Sequence, residues 1–428
     1  MANNRNEPRE FDAVRGGEAP PPVQGAVLGG IQGVKQRLAS SEEETRIGAL
    51  SSALNYGNTG LHVLINALEH NSAKVRKTAA KLLKNIDKIQ VKAALKKYKF
   101  WTTFEKYYEM PSNYSTTFAN RKVIEFDPVI GISDTVDTAY ALRVVPGEDY
   151  YTKSVLNSVD KLQIILQSPL ASNIEALVFG YWYTRSLKDY TFRPVLDELL
   201  GASEKFTNLK ALFIGDASRF ELQNISFVYC NLSYILLAYP QLETLKVRNN
   251  CYRYSSYSNY EVGLEFSPIR HEKLQTLIIE GVGISNEVFE EICKLELPAL
   301  EYLELWFGRD RYINHNSINE FISVFYDNFP KLKYLGLRYY DHDYPDNVAF
   351  AIANSPICEN LVELDLSMGK IGDEGAKALL KCSAIHQLDT LNISDNCLNN
   401  KMVEKISKLD IEVIADKQNP QRYYSSYG

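Results

Sequence analysis

LVELDLSMGKIGDEGAKALL, residues 361–380, is the stretch on which the fold turns. Its leucines at 361, 364 and 366 give the spacing L-x-x-L-x-L. Side chains alternate faces along a strand, so Leu364 and Leu366 share one side. Gly372, Asp373 and Glu374 then place acidic groups at a helix start, where the macrodipole favours them. Ala376, Leu379 and Leu380 recur at helical spacing behind them. The stretch therefore reads as a short strand followed by a helix.

The same template recurs seven times upstream and downstream. It reads Ile174-Leu177-Phe179, Leu209-Leu212-Ile214, Leu242-Leu245-Val247 and Leu274-Leu277-Ile279. It continues with Leu300-Leu303-Leu305, Leu332-Leu335-Leu337 and Leu388-Leu391-Ile393. Successive starts lie 35, 33, 32, 26, 32, 29 and 27 residues apart. Eight copies at that period are the signature of leucine-rich repeats. The last copy also carries Asn396 and Leu398 at the ninth and eleventh positions. Helical spacing between strands returns at Val288-Phe289-Ile292-Cys293 and Ile318-Phe321-Ile322-Phe325. Val123–Phe126 and Tyr140–Val144 alternate like strands that open the sheet and cover its first edge, and Ile411–Val413 closes the far end. The expected fold class is α/β: a parallel-sheet horseshoe with outer helices over 121–428, preceded by a small all-α domain.

That preceding part differs in charge and in period. Residues 1–110 hold 17 Lys/Arg against 11 Asp/Glu, and 111–428 hold 30 against 42, so a basic front precedes an acidic back. Residues 1–33 are rich in Pro and Gly and read as a flexible lead. From 34 to 100 the apolar period is helical, with breaks at Tyr56-Gly57 and His70-Asn71 and with Ser41 or Ser72 as caps. Residues 101–120 read as an aromatic, Ser/Thr-rich linker.

Two resemblances sharpen this division. VRKTAAKLLKNI at 75–86 resembles the second helix of a HEAT repeat. PREFDAV at 8–14, PPPVQGAVLGGIQGVKQRLAS at 20–40 and ALSSALNYGNTGLHVLINAL at 49–68 resemble HEAT-like modules that lead many cyanobacterial multidomain proteins. Further on, LFIGD at 212–216, LLAYPQLETLKVR at 236–248, LPALEYLELWFG at 297–308 and FPKLKYLGLR at 329–338 join the stretch at 361–380. Together they resemble an uncharacterised bacterial family of leucine-rich-repeat proteins with long repeats of the ribonuclease-inhibitor type. That family implies the fold and brings no catalytic residues or ligand. The Tyr-rich insertion CYRYSSYSNYEVG at 251–263 departs from its pattern.

Strand positions three, five and seven face away from the leucines. In the central repeats they supply Lys246, Arg248, Glu280, Tyr302, Glu304, Trp306, Tyr334 and Arg338, followed by Glu363 and Asp365. Aromatic residues and Arg are the types that anchor interfaces. These ten residues are the expected site for a protein or peptide partner, on an open concave face. A second cluster, Tyr181-Trp182-Tyr183, Arg309–Tyr312 and Tyr339-Tyr340, is set on one rim. The bland alternative for both is packing within the chain.

Other chemistries are weaker. Lys77, Lys81, Lys84, Lys88, Lys92 and Lys96 form a stripe on one face if the helix is continuous, which a break near Asp87 would split. It supports an alternative reading as a nucleic-acid-binding regulator, but no nucleic-acid-binding motif accompanies it. Asp341, His342, Asp343 and Asp346 offer carboxylates in one loop, and a polar loop is the simpler reading. The six histidines form no HxH or HExxH, and no GxSxG, P-loop or GxGxxG occurs. Six scattered cysteines without a CxxC suit a reducing compartment. There is no run of 18 apolar residues and no signal-like start. The expectation is a cytoplasmic, non-enzymatic scaffold without cofactor or metal, engaging a protein partner rather than nucleic acid or membrane.

Overall fold

The computed structural model describes residues 29–104, 113–144, 156–182, 191–218, 221, 227, 230–249, 263–307, 322, 324–338 and 346–423. The chain divides into two compact units, one ending at Phe104 and the other beginning at Glu105.

The first unit is built of short helices: α1 (Gly30–Leu38), α2 (Glu43–Ala53), α3 (Gly57–Ala67), α4 (Ala73–Lys84) and α5 (Ile89–Tyr98). Helix α2 packs on α1, α3 and α4, and α4 packs on α5. Its core comes from the helical-period residues, among them Leu50, Leu61, Leu64, Val75, Ala79 and Leu83. An internal repeat of thirty residues governs the turns. Arg46 on α2 donates to the carbonyls of Ser40 (2.7 Å) and Ser41 (2.9 Å). Arg76 on α4 does the same for His70 (2.9 Å) and Asn71 (2.8 Å). Each guanidinium satisfies carbonyls that the preceding turn leaves open. Ser72 caps α4 by accepting from the Val75 amide, whereas Ser41 makes no such bond to α2. The lead expected to reach residue 33 gives way to helix at Gly30, with Ile31 and Val34 buried.

The stretch read as a linker, 101–120, is built into both units at its ends. Trp101 is fully buried in the first, and Ser115 and Phe118 are buried in the second.

The second unit contains a twelve-stranded sheet. Its first strands are β1 (Thr117–Phe118), β2 (Arg121–Glu125), β3 (Thr138–Leu142), β4 (Ala176–Phe179) and β5 (Ala211–Ile214). A side pair, β6 (Cys230–Asn231) and β8 (Leu264–Glu265), lies outside it. The sheet continues with β7 (Thr244–Asn249), β9 (Thr276–Ile284), β10 (Tyr302–Phe307), β11 (Tyr334–Arg338), β12 (Glu363–Asp365), β13 (Thr390–Asn392) and β14 (Glu412–Ile414). The β1–β2 pair is antiparallel, and every other neighbouring pair is parallel.

All eight L-x-x-L-x-L copies fall on strands of this sheet. Their fourth-position leucines pair in register from Leu177 through Leu212, Leu245, Leu277, Leu303, Leu335 and Leu364 to Leu391. The row extends to Tyr140 and Ile124 at one end and to Val413 at the other. Each of the eight leucines is fully buried, a contribution of roughly 1.5–3 kcal/mol apiece.

Helices α6 (Ser158–Gln167), α7 (Arg193–Gly201), α8 (Ser233–Ala238), α9 (Asn286–Cys293), α10 (Asn347–Ala353), α11 (Asp373–Lys381) and α12 (Asn400–Ile406) alternate with the strands and close one continuous core. Asn157 and Asp160 form a capping box on α6, and Ser285 caps α9. The full template at Asn396 is explained by its bonds. Its amide donates to the carbonyls of Leu366, Ile393 and Ser394 and its oxygen accepts from the Ile371 amide, all within 2.8–3.1 Å. Gly369 occupies the equivalent position one repeat earlier, where an added Cβ would lie 2.7 Å from the Asn396 oxygen. Residues 251–262 of the Tyr-rich insertion, Ile318 and Phe321 lie outside the described residues.

Candidate functional site

Strand alternation sets the ten singled-out residues on the side of the sheet opposite the leucines, and register brings them together. Arg248 pairs with Glu280 across β7 and β9. Tyr302 pairs with Tyr334, and Trp306 with Arg338, across β10 and β11. Tyr334 pairs with Glu363, and Gly336 with Asp365, across β11 and β12.

The expectation of an open surface is corrected by the structure. Arg248, Glu280, Tyr302, Glu304, Trp306, Tyr334, Arg338, Glu363 and Asp365 are all buried, none more than 6 % exposed. Lys246 is mostly buried, its side chain 12 % exposed. The physical reason is that buried charges must be paired, and here cation, carboxylate and ring are matched across strands.

One network surrounds Arg338. Its guanidinium lies 2.8 Å from Glu304 Oε1 and 4.8 Å from the centre of the Trp306 ring. Its Nε donates to Ser367 Oγ at 3.2 Å. Glu304 also accepts from Trp306 Nε1 (2.7 Å) and from the Tyr302 hydroxyl. The Tyr334 hydroxyl donates to Asp365 at 3.0 Å. The two tyrosine rings stack with centroids 4.1 Å apart and planes at 9°. Gly336 makes room for this arrangement: a Cβ there would stand 3.0 Å from the Tyr334 ring and 3.1 Å from the Glu304 chain.

A second network surrounds Arg248. Its Nε donates to Glu280 at 2.7 Å, and its Nη1 lies 3.4 Å from Asp216. Lys246 reaches the same Glu280 oxygen at 3.1 Å and sits 4.7 Å from the Phe213 ring centre. Asp216 is fully buried. It accepts from the Ser115 amide and hydroxyl and forms an ion pair with Arg143. Arg143 in turn pairs with Glu125, which holds Lys161 at 2.7 Å. Asp216, Arg143 and Ser115 were not singled out in the sequence. The one signal was Asp216 directly after Gly215 in LFIGD, a charge just past a buried strand.

Charge states in the Arg338 network are locked. Burial alone would raise the Glu304 carboxyl, but the Arg338 guanidinium and the Tyr302 and Trp306 bonds outweigh it and hold it below the ordinary value. Burial, reinforced by Glu304, pushes the Tyr302 hydroxyl well up, and burial with Asp365 does the same for Tyr334. Arg338 is held above its ordinary value by Glu304 and Asp365 against the effect of burial.

The remaining candidates are placed as follows. Tyr181 and Trp182 are buried in the core, with Trp182 edge-on to Phe192 (5.0 Å) and Phe227 (5.5 Å). Tyr183, Arg309–Tyr312, Tyr339, Tyr340, Asp341, His342 and Asp343 lie outside the described residues. Asp346 is buried and accepts from the Gly372 amide at 2.8 Å. The lysine stripe is divided, since α4 ends at Lys84 and α5 begins at Ile89. Lys88 donates to Asn58, and Lys92 forms an ion pair with Asp87. Burial raises the Cys230 thiol to about 12 and pushes Cys293 and Cys358 higher still. Among the described residues, no group of three or more His, Cys, Asp or Glu is arranged to hold a metal ion, and no helix is long and apolar enough to cross a membrane.

Residues 358–380 match the family model described as Leucine Rich repeat. No curated protein matches the chain. Among the 41 solved chains that do is the crystal structure of a Bacteroides fragilis protein. It is 26 % identical with a TM-score of 0.53, over 65 % of this chain and 75 % of that one. The in-register leucine row and these likenesses together support a leucine-rich-repeat type of fold for the second unit.

Proposed function

We propose that the protein is a non-enzymatic, intracellular protein-binding scaffold in which a HEAT-like module leads a leucine-rich-repeat domain. Repeat sheets of this kind present rigid, extended surfaces, and recognition is their common use. One observation carries the non-enzymatic reading. Glu304, Tyr302, Tyr334 and Arg338 are held in one paired network, and their shifts run away from neutrality. A general acid or base needs the opposite, a pKa drawn toward the working pH. The thirty-residue repeat with its turn-binding arginines supports the HEAT-like reading of the first unit.

In this reading a protein or peptide partner engages the repeat domain, and of the ten-residue face Lys246 alone is placed to touch it, the other nine being buried beneath. Lys246, the most accessible of them, marks the point of first contact. The experiment is quantitative affinity capture with the full chain and with Lys246→Glu. Charge reversal at a contact is expected to reduce partner recovery about tenfold. Equal recovery with both chains removes this face from the proposal.

A further inference from the structure

The opening end of the repeat sheet has an unusual crossover. Between β3 and β4 the chain returns through α6, and between β4 and β5 through α7. Between β2 and β3 it returns through residues 126–137 with no helix at all. The leucine row ends here on Ile124, which is 39 % exposed. The crossover adds Val129 at 94 %, Ile130 at 73 % and Val136 at 63 % exposure.

These side chains are not on a loose loop. The Asp127 carboxylate accepts from the Val129 amide at 2.7 Å, and the Gly131 amide donates to the Asp127 carbonyl at 2.8 Å. The Tyr140 hydroxyl accepts from the amides of Ser133 and Asp134. Asp134 accepts from the Val136 amide and the Thr138 hydroxyl. All but the Thr138–Asp134 bond tie down a backbone group, and together they hold the aliphatic side chains outward. Exposed aliphatics on a pre-ordered backbone lose little entropy on binding. The same segment carries exposed Asp127, Asp134 and Asp137 and no Lys or Arg, while Lys122 is the exposed base on β2.

We propose that this end of the sheet is a docking surface for a basic amphipathic helix of a partner protein. Two features select that occupant. The outer layer of the domain is made of helices, and the crossover between β2 and β3 leaves the first place in that layer without one. The three carboxylates around the aliphatic cluster complement lysine or arginine flanking an apolar helix face, and they repel an anionic lipid surface. The surface is separate from the ten-residue face, and the proposal stands or falls independently of it.

The test uses the full chain and two labelled fourteen-residue peptides of the same amphipathic pattern, one of Leu and Lys and one of Leu and Glu. Binding is read by fluorescence anisotropy at low and high salt. The Leu/Lys peptide is expected to bind and the Leu/Glu peptide to bind at least tenfold more weakly. Val129→Ser with Ile130→Ser should weaken Leu/Lys binding about tenfold with an unchanged Tm, since both side chains are exposed. Asp137→Asn should weaken it several-fold and flatten its salt dependence. Equal binding to the double variant, equal binding of the acidic peptide, or no binding to the wild type overturns the proposal. So does sedimentation showing a wild-type dimer that the double variant abolishes, which would assign the surface to a second copy of the chain.

Discussion

Replacing Arg338 with Met removes the one cation that Glu304 and Asp365 share. Arg338 is 1 % exposed, 2.8 Å from Glu304 and 4.0 Å from Asp365. Deleting one partner of a buried ion pair costs about 3–5 kcal/mol, because the remaining charge stays buried. Here the carboxylates keep neutral donors. Glu304 retains Tyr302 and Trp306, and Asp365 retains Tyr334 and the Ser367 amide. That places the expected loss near the lower end, about 3 kcal/mol. Arg338→Met with Glu304→Gln should recover at least ~1 kcal/mol, since neutral Gln leaves less charge uncompensated. The assay is equilibrium urea unfolding followed by tryptophan fluorescence, with Trp306 reporting locally because its ring lies against the guanidinium. Circular dichroism on the same samples checks that the two signals coincide, as a repeat array does not always unfold in one step. A loss below ~0.5 kcal/mol, or no recovery in the double variant, refutes the network.

Two further perturbations test the rest of the repeat domain. His271 is buried, its Nδ1 accepts from the Leu274 amide at 3.0 Å, and its Nε2 faces the Tyr239 carbonyl at 3.2 Å. Burial holds its pKa below the ordinary 6.5. Below that pH the unfolded chain takes up a proton that the folded chain refuses, so stability falls as pH drops below about 6.5, by at most ~1.4 kcal/mol per unit. His271→Asn keeps an acceptor near the Nδ1 position and should flatten the decline in Tm between pH 6.5 and 5, and an unchanged slope contradicts the assignment. Asn396→Ala removes two N–H donors shared among three carbonyls, and one acceptor, at a fully buried position. It should cost about 2–4 kcal/mol in the same urea assay, and a change within ~0.5 kcal/mol would show that the Asn396 bonds are dispensable.

The strands were legible because the signal repeats. One copy of Leu361-Leu364-Leu366 is compatible with several folds, but eight copies at 26 to 35 residues leave one way to bury every leucine. The alternation of the strands also told correctly which residues share the opposite face, and equal template positions gave Tyr302 against Tyr334 and Trp306 against Arg338. What alternation does not encode is whether a face is open. Arg248 and Glu280 look like surface charges until their 2.7 Å contact and burial are seen. Asp216 was hidden because its partners, Ser115 and Arg143, are 101 and 73 residues away. The lysine stripe is divided for a local reason, at the break that the sequence places near Asp87. Its 3.6-residue period assumes one helix, and residues 85–88 interrupt it.

Hydroxyl-radical footprinting of the full chain tests the central claim most directly, that the polar face of the repeat sheet is closed by its own pairing. Tyrosine and tryptophan label readily when solvent reaches them, and Tyr234 on α8, 51 % exposed, supplies an internal reference. Tyr302, Trp306 and Tyr334 should label at least tenfold more slowly than Tyr234. Labelling of all three at the rate of Tyr234 would show an open face and contradict the account.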